Sequence, residues 1–300
     1  MSLKGKTLFI TGALLAASAA YAQPPPPVEI KTTAVAGSVH LLEGAGGNIG
    51  VSAGADGVFM IDDQYAPMTE NIRKALAKIS TQPLRFVLNT HWHGDHTGGN
   101  ENLGKAGAVI VAHDNVRTRM STEQFIQALD WTVLASPAVA LPAITFTETV
   151  TFYLNGDEIH VFHVPPAHTD GDSLVHFRKA DVLHMGDIFF NGLYPFIDVD
   201  SGGSVNGMIA AVDRALTVVG PKTKIIPGHG PLAGKSELLA YRDMLSGLRD
   251  KVARLAKSGK SLAEVQAAKP SAAWDATWGN GFLPPDKFVG IVYNSVKSEK

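Results

Sequence analysis

The sequence predicts a domain of the α+β class. Short apolar runs rich in valine, isoleucine and phenylalanine, which are typical of strands, alternate with longer segments whose apolar residues recur at helical spacing. The 300-residue chain is 45% hydrophobic, which is enough for one large domain with a sizeable core. It contains no cysteine, so this core rather than disulfide bonds must stabilise the fold.

Predicted strands and helices alternate along the first half of the chain. Strand-like runs fill residues Val39 to Ile61 and Leu84 to Leu88, and a helical pattern at Thr69 to Ile79 lies between them. Val109 to Ala112 is a further predicted strand, and a predicted helix from Asn115 to Met120 follows it. Each of these strands is apolar enough to be buried in a sheet.

The second half of the chain repeats this scheme. Its predicted strands are Val150 to Leu154, Ile159 to Val164, Leu174 to Phe177 and Val182 to Leu183. Its predicted helices are Val205 to Val219, with apolar residues at helical spacing, and the amphipathic Lys235 to Ala256.

Two segments interrupt this order of predicted strands and helices. Ser121 to Thr149 is an insertion rich in apolar residues, which either packs as core or forms a lid. Phe189 to Asp200 follows directly on Asp187. If this loop overhangs a site at Asp187, the Tyr194 hydroxyl is a candidate catalytic donor to a developing oxyanion, and the alternative is a packed turn at Pro195.

The N-terminus has the pattern of a secretory signal peptide at residues 1–22. It begins with Lys4 and Lys6, continues with an apolar core and ends with Ala20-Tyr21-Ala22, a typical A-x-A cleavage site. The apolar core is too short to span a membrane, so we expect cleavage, no stable membrane anchor and a periplasmic or secreted protein. Residues 23–37 are predicted to be a Pro-rich linker and the entry to the domain, which extends over residues 38–300.

The most informative motif is Thr90-His91-Trp92-His93-Gly94-Asp95-His96, just after the predicted strand at Leu84 to Leu88. Alternate side chains of an extended segment share a face, so His91 and His93 can converge on one ion. The turn that must follow directs Asp95 and His96 toward a neighbouring position. Three imidazoles and a carboxylate within six residues indicate a metal site.

Three further candidate ligands lie downstream, each where a predicted strand ends and a loop begins. They are His168 in Pro-Ala-His-Thr-Asp-Gly, Asp187 in His-Met-Gly-Asp, and His229 in Pro-Gly-His-Gly. Loops held by a rigid scaffold are where binding and catalytic groups usually lie.

This order of motifs resembles the metallo-β-lactamase superfamily of hydrolases. The pattern H-x-H-x-D-H, a lone histidine, an aspartate in a Gly-Asp pair and a histidine in Pro-Gly-His-Gly covers nearly the whole mature chain. The resemblance implies a four-layered αβ/βα sandwich. It also implies two metal sites, with His91, His93 and His168 at the first, Asp95, His96 and His229 at the second, and Asp187 bridging both.

The chemistry of these seven side chains favours zinc. All are nitrogen or oxygen donors, and catalytic zinc sites are rich in histidine with an open position for water. We therefore expect two zinc ions (Zn2+) per chain, with iron or manganese in one site left open because sequence does not fix metal loading. A hydroxide that bridges the metals is the expected nucleophile, and Asp95 is expected to orient it and to pass a proton to the leaving group.

Two other positions are candidates for supporting roles. In the family that the motifs resemble, an aspartate where Asp62 and Asp63 lie supports the metal site through hydrogen bonds, and the alternative is a simple strand-end turn. His113 is a candidate for indirect support of the metal ligands. Asp114 is a candidate cap for the helix that starts at Asn115.

These features predict an exported zinc-dependent hydrolase acting on the carbonyl of a small-molecule ester, lactone, thioester or amide. One alternative is a true β-lactamase, but two of its subclasses use a cysteine ligand and the third normally lacks the carboxylate of Asp187. A non-hydrolytic metal-binding or redox protein is the further alternative, although iron-based relatives usually have glutamate in place of His93. The formal net charge of −2 argues against a nucleic-acid partner.

Overall fold

The computed structural model describes residues 27–298. Its strands are β1 (Lys31–Ala36), β2 (Val39–Glu43), β3 (Ile49–Gly54), β4 (Gly57–Ile61), β5 (Leu84–Leu88), β6 (Val109–His113), β7 (Gln124–Ile126), β8 (Trp131–Val133), β9 (Ile144–Phe146), β10 (Thr149–Leu154), β11 (Asp157–His163), β12 (Ser173–Phe177), β13 (Val182–His184) and β14 (Lys224–Ile226). Its α-helices are α1 (Thr69–Ile79), α2 (Gly94–Thr97), α3 (Asn100–Lys105), α4 (Asp114–Met120), α5 (Val205–Leu216), α6 (Lys235–Lys257), α7 (Leu262–Ala267), α8 (Asp275–Trp278) and α9 (Pro285–Ser298).

The strands form two large sheets and one small hairpin. The first sheet has the spatial order β1-β2-β3-β4-β5-β6-β9, antiparallel from β1 to β4 and parallel from β4 onward. The second sheet follows chain order from β10 to β14, and only its β13–β14 pair is parallel. Strands β7 and β8 pair with each other as a separate antiparallel hairpin.

Alternation along β4 shows how the first sheet is covered on both faces. Val58 and Met60 belong to a core cluster that includes Ile72 of α1, whereas Phe59 and Ile61 belong to a cluster shared with the second sheet. Because successive side chains of a strand point to opposite faces, one strand contributes to both cores. The first sheet therefore lies between a helical layer and the second sheet.

The second sheet is covered in the same way on its outer face. Val161 of β11 lies in the core shared with the first sheet, whereas Phe162 lies in a cluster with Met208 of α5, Leu245 of α6 and Val292 of α9. The layers are thus helices, sheet, sheet and helices. This order confirms the predicted four-layered αβ/βα sandwich.

Some element boundaries differ from the sequence-based expectations. Strand β1 lies inside residues 23–37, so the sheet begins before residue 38. Helices α7 to α9 and the hairpin β7–β8 have no counterpart in the predicted elements. The predicted signal peptide lies outside the described residues. Within residues 27–298, no helix has both the length and the apolar character needed to cross a bilayer.

The loops that carry the predicted ligands meet at one edge of the two sheets. Ser173 at the start of β12 donates its backbone N–H to the carbonyl oxygen of Thr90 after β5, at 2.9 Å. Gly228 after β14 donates to the carbonyl oxygen of Gly186 after β13, at 2.7 Å. These backbone hydrogen bonds hold loops from both sheets together and bring distant parts of the chain to one place.

Candidate metal centre

The structure brings the seven predicted metal ligands together in two adjacent clusters. The first cluster consists of His91, His93, His168 and Asp187, and the second of Asp95, His96 and His229. Within each cluster the candidate ligand atoms lie within 4.8 Å of one another. Such a separation is suited to one cation bound at the centre of each cluster.

The turn after β5 divides its side chains between the clusters. His93 has an extended backbone, with φ −64° and ψ 148°, and is the N-cap of α2. His91 lies in the bend between β5 and His93, so the expected extended segment is interrupted, yet both side chains reach the same cluster. Asp95 and His96 lie in the first turn of α2 and point to the second cluster. The change from extended to helical backbone thus separates the two ligand sets.

The first cluster is compact and buried. The Nε2 atom of His168 lies 2.8 Å from Nδ1 of His93 and 3.5 Å from Oδ2 of Asp187. The Nε2 atom of His91 lies 3.8 Å from the same Asp187 oxygen and has no hydrogen-bond partner. A buried imidazole nitrogen without a partner is costly unless another group uses its lone pair. This orphaned nitrogen and its neighbours fit a divalent metal ion.

The second cluster faces the other oxygen of Asp187. Oδ1 of Asp187 lies 3.1 Å from Nε2 of His96 and 3.4 Å from Nε2 of His229. Oδ2 of Asp95 lies 3.2 Å from Nε2 of His229 and 3.5 Å from Nε2 of His96. Asp187 therefore presents one carboxylate oxygen to each cluster, which is the arrangement expected of a bridging ligand.

Hydrogen bonds at the opposite ring nitrogens fix the orientation of the histidines in the first cluster. The contacts are His91 Nδ1 with Thr90 Oγ1 at 3.0 Å, His93 Nε2 with Asp198 Oδ2 at 3.0 Å, and His168 Nδ1 with the carbonyl oxygen of Phe196 at 2.8 Å. A partner of this kind selects the nitrogen that is free to bind a metal. The free nitrogens are those that converge on the cluster.

Asp62 supports the centre from the end of β4. Its Oδ2 lies 2.8 Å from Nδ1 of His96 and accepts a hydrogen bond from the Thr90 hydroxyl at 2.8 Å. Its Oδ1 accepts from the backbone N–H of Thr90 at 2.8 Å. The supporting role inferred from the resemblance is therefore correct for Asp62, which does more than end a strand. Asp63 instead accepts a hydrogen bond from Gly99 N–H at 2.9 Å.

Two supporting carboxylates were not identified from the sequence. Asp198 contacts His93, and it lies more than a hundred positions away in the chain. Asp172 accepts hydrogen bonds from the backbone N–H groups of His168 and Thr169, at 2.7 and 2.8 Å, and so holds the turn that presents His168. The Thr-Asp-Gly-Asp sequence after His168 was a local signal for Asp172, whereas nothing local indicated Asp198.

Two histidines of the first cluster, His91 and His168, favour the neutral form. Burial lowers the pKa of His91 well below its usual value, and the charge of His96 lowers it further. Burial also lowers the pKa of His168 to about 4, although Asp187 acts in the opposite direction. Neutral imidazole is the form that binds a metal, so these two side chains are ready to bind at neutral pH.

The second cluster has the opposite electrostatics. Burial alone would lower the pKa of His229, but Asp187 and Asp95 outweigh it and raise the pKa to about 9. Burial would raise the pKa of Asp95, but His96 and His229 lower it to about 2. The same histidines hold the pKa of Asp187 well below its usual value despite burial. In the absence of metal, this cluster is a network of charged partners.

Two glycines allow the backbone to approach the ligands closely. A Cβ atom on Gly47 would lie 2.1 Å from Cε1 of His96, and one on Gly228 would lie 2.0 Å from Oδ1 of Asp187. Neither contact is sterically possible, so a larger residue at either position would displace a ligand. These glycines are therefore required by the packing around the centre.

A cavity of about 430 Å³ opens onto the two clusters. Asp95, Asp187, His93 and His229 contribute to its floor, and aromatic and aliphatic side chains form its walls. Part of the wall comes from the hairpin β7–β8, which lies inside the predicted insertion at Ser121 to Thr149. The insertion therefore borders the cavity through this hairpin and also contributes to the core, where Ile126 and Phe146 are buried.

Tyr65 lines this cavity and was not identified from the sequence. Burial raises the pKa of its hydroxyl well above the usual value, and the carboxylates of Asp95 and Asp187 raise it further. The hydroxyl therefore keeps its proton at neutral pH, so Tyr65 is a candidate hydrogen-bond donor in the cavity. The run Asp62-Asp63-Gln64-Tyr65 after β4 was the available signal.

The structure contradicts the oxyanion role predicted for Tyr194. Its side chain is almost fully buried and is absent from the cavity wall. Its hydroxyl donates a hydrogen bond to Oδ1 of Asp275 in α8 at 2.8 Å, and its ring stacks on Phe288 of α9. The prediction rested on Tyr194 lying soon after Asp187 in the chain, and this closeness in sequence does not determine which way the side chain points. Tyr194 thus fastens the C-terminal helices to the domain.

His113 also differs from its expectation. Its Nδ1 accepts a hydrogen bond from the backbone N–H of Asn115, so His113 rather than Asp114 caps α4. Its Nε2 contacts the carbonyl oxygen of Thr147 at 2.9 Å, and its ring stacks on His163. Both ring nitrogens are therefore used for local structure, away from the metal ligands.

Comparison with known proteins places this geometry in a family. A sequence profile described as the Metallo-beta-lactamase superfamily matches residues 33–229. The chain is 27% identical over 161 residues to a hydroxyacylglutathione hydrolase of Nitrosococcus oceani, and this match spans 52% of each protein. It is 25% identical over 186 residues to the human acyl-coenzyme A thioesterase MBLAC2, spanning 55% of this chain and 63% of that protein.

Solved structures agree on the fold. A metallo-beta-lactamase from Pontibacter korlensis superposes with a TM-score of 0.60 at 19% identity, covering 73% of this chain and 99% of that one. At such low identity the likeness concerns the fold. The chain spans about half the length of the hydroxyacylglutathione hydrolases that it matches.

Proposed function

Because this chain belongs to the metallo-beta-lactamase superfamily, we propose that it is an exported dizinc hydrolase that cleaves an ester, lactone, thioester or amide of a small molecule. The relatives named as hydrolases and the two ligand clusters support a metal-dependent hydrolase. Zinc as the metal and two ions per chain are part of the proposal, as is the carbonyl substrate.

The position of Asp187 is the observation that carries the proposal. One oxygen lies 3.5 Å from His168 of the first cluster, and the other lies 3.1 Å from His96 of the second. A carboxylate shared in this way would hold two cations close together, as two-metal hydrolytic sites require. All the surrounding donors are imidazole or carboxylate, which suits zinc.

Zinc bound at such an open, histidine-rich site acts as a Lewis acid toward a carbonyl and lowers the pKa of bound water to about 7. The chain itself supplies orientation and proton transfer. Asp95 lines the cavity with a side chain that is 22% exposed, so it is the carboxylate placed to hold and move a proton during turnover.

Tyr65 takes the role that the sequence had suggested for Tyr194. Its protonated hydroxyl lies in the cavity beside the carboxylates, where it donates a hydrogen bond to the carbonyl oxygen of a bound substrate. A donor placed before the reaction stabilises the negative charge that develops on this oxygen.

The proposal is tested with purified mature protein. Elemental analysis after loading with zinc should give about two ions per chain. The loaded protein should hydrolyse at least one class in a panel of aryl esters, acyl-homoserine lactones, thioesters, β-lactams and phosphotriesters, and a chelator should abolish that activity. One metal or fewer under zinc-replete conditions, or turnover unaffected by metal removal, would refute the dinuclear hydrolase.

Export is a separate part of the proposal and rests on the N-terminal pattern of Lys4, Lys6 and Ala20-Tyr21-Ala22. The full chain expressed in a Gram-negative host should appear in the periplasm with an N-terminus at or near Gln23. N-terminal sequencing of the fractionated protein measures this. A soluble cytoplasmic protein that retains Met1 would show that the signal is not used.

A further inference from the structure

We propose that the cavity selects substrates with an uncharged, apolar acyl group and discriminates against those that carry a carboxylate on the acyl side. This inference rests on the proposed hydrolase function and specifies its substrate class. It follows from the shape and the charge of the cavity walls.

One wall of the cavity is built by the hairpin β7–β8. Its register pairs Ile126 with Trp131, and Val133 lies two positions further along β8. Alternate residues of a strand share a face, so these three side chains point together into the cavity, which they line. Phe125 has the opposite orientation, is 52% exposed and does not line the cavity. The hairpin therefore presents an apolar face to the centre and a separate face to solvent.

Three phenylalanines also line the cavity. The ring of Phe190 stacks on His229, with centroids 5.0 Å apart and an interplanar angle of 19°. The ring of Phe196 lies 5.9 Å from that of His93. Phe282, 63% exposed, lines the cavity from the C-terminal part of the chain. An acyl group that reaches the clusters is therefore enclosed by apolar surface.

The cavity offers no side-chain cation for a second anionic group. Among the described residues that line it there is no lysine or arginine, and its charged side chains apart from histidines are the carboxylates of Asp95 and Asp187. Arg119 lines a smaller adjoining cavity of about 160 Å³. Its guanidinium already forms two hydrogen bonds of 2.7 Å with the carboxylate of Asp170.

A carboxylate placed against these apolar walls would lose hydration without gaining a cationic partner. Metal ions bound at the clusters would not remove this penalty for a carboxylate at the far end of an acyl chain, which would lie against the hairpin rather than at the clusters. We therefore expect neutral acyl esters or lactones to be preferred over substrates whose acyl chain ends in a carboxylate.

The test uses three esters of equal acyl length on the zinc-loaded protein. They are p-nitrophenyl hexanoate, mono-p-nitrophenyl adipate, which has a carboxylate in place of the terminal methyl group, and the methyl ester of that adipate. We expect kcat/KM for the adipate to be at least about 30-fold lower than for the hexanoate, with the neutral methyl ester close to the hexanoate. Equal kcat/KM for hexanoate and adipate would overturn the proposal.

Variants of the hairpin β7–β8 test whether it causes the preference for apolar acyl groups. Trp131→Ala should lower kcat/KM for the hexanoate by about 10-fold, mainly through KM, because it removes apolar surface from the wall. Phe125→Ala, on the same hairpin but facing solvent, should leave it unchanged. Val133→Lys should raise kcat/KM for the adipate relative to the hexanoate by about 10-fold. If Phe125→Ala acts like Trp131→Ala, the hairpin matters only for stability.

A binding measurement separates this inference from the proposed activity. Octanamide and suberamic acid have the same length and differ in a terminal methyl group against a carboxylate. Calorimetry on the zinc-loaded protein should show at least about 10-fold tighter binding of octanamide. A protein that hydrolyses no member of the panel would refute the proposed function, whereas equal or tighter binding of suberamic acid would refute the apolar preference.

Discussion

The two ligand clusters share Asp187 but differ in burial and charge. His91 and His168 of the first cluster are buried, and burial keeps their pKa values low. In the second cluster the side chains of Asp95 and His229 are 22% and 24% exposed and border the cavity. The pKa of His229 is raised to about 9 by neighbouring carboxylates that outweigh burial.

This difference has a consequence for metal binding. A histidine must be neutral to bind a metal, so binding at the second cluster displaces protons at neutral pH, whereas His91 and His168 carry none. We therefore expect the first cluster to bind more tightly and with less dependence on pH. The second cluster, which faces the cavity, is expected to lose its metal first as the pH falls.

The largest expected effect comes from removing the group that the clusters share. Asp187→Ala should reduce kcat by about 1,000-fold or more, because the variant cannot hold two cations at the distance that the reaction requires. Metal content and turnover measured together test this, with the exposed Asp213→Ala as a control. Near-normal turnover with two metals bound would show that Asp187 does not bridge.

The next effect separates ligand geometry from proton transfer at the second cluster. Asp95→Asn keeps the shape of the side chain but removes its basicity, so kcat should fall by about 100-fold or more. Zinc at the first cluster should remain bound, as measured by elemental analysis. If the variant turns over normally with both metals in place, Asp95 is a replaceable ligand with no proton-transfer role.

A pair of variants addresses one cluster each. Asp198→Ala removes the partner of His93, and Asp62→Ala removes the partner of His96. Each should weaken its own site by about 10- to 100-fold. Zinc titrations against a competing chelator show one binding step for each cluster. Comparing pH 6 with pH 8 assigns the steps, because we expect zinc binding at the second cluster to depend more strongly on pH. If both variants weakened zinc binding at the same cluster, Asp198 and Asp62 would not support different metal sites.

The smallest effect concerns the tyrosines. Tyr65→Phe should lower kcat by about 10-fold, since it removes a donor that shares its task with the metals. Tyr194→Phe is the matched control and should leave kcat unchanged, because that hydroxyl is bonded to Asp275. Steady-state kinetics with a neutral aryl ester measure both. A loss of kcat in Tyr194→Phe but not in Tyr65→Phe would instead support the oxyanion role that the sequence suggested for Tyr194.

The sequence predicted which seven side chains the structure brings together, because each lies in a short motif. His91 and His93 lie close together in the turn after β5, and His168, Asp187 and His229 each follow a strand. The strands and long helices were also predictable, since their apolar periodicity is strong.

Features that depend on tertiary packing were not predictable in this way. Asp198 acts on a histidine more than a hundred positions earlier, so no local pattern indicates it. The direction of Tyr194 was set by packing against α8 and α9, two helices that the periodicity did not reveal. Tyr65 was missed because its role depends on the carboxylates that it faces across the cavity.

The ligands come from both sheets, so bound metal would join the two halves of the molecule. His91 and His93 follow β5 of the first sheet, whereas His168 and Asp187 follow β11 and β13 of the second. A ligand that binds only the folded state at 1,000 times its Kd adds about 4 kcal/mol to the free energy of unfolding. In a chain without cysteine, the metal centre would thus stabilise the fold by linking distant segments, as a disulfide bond does in other proteins.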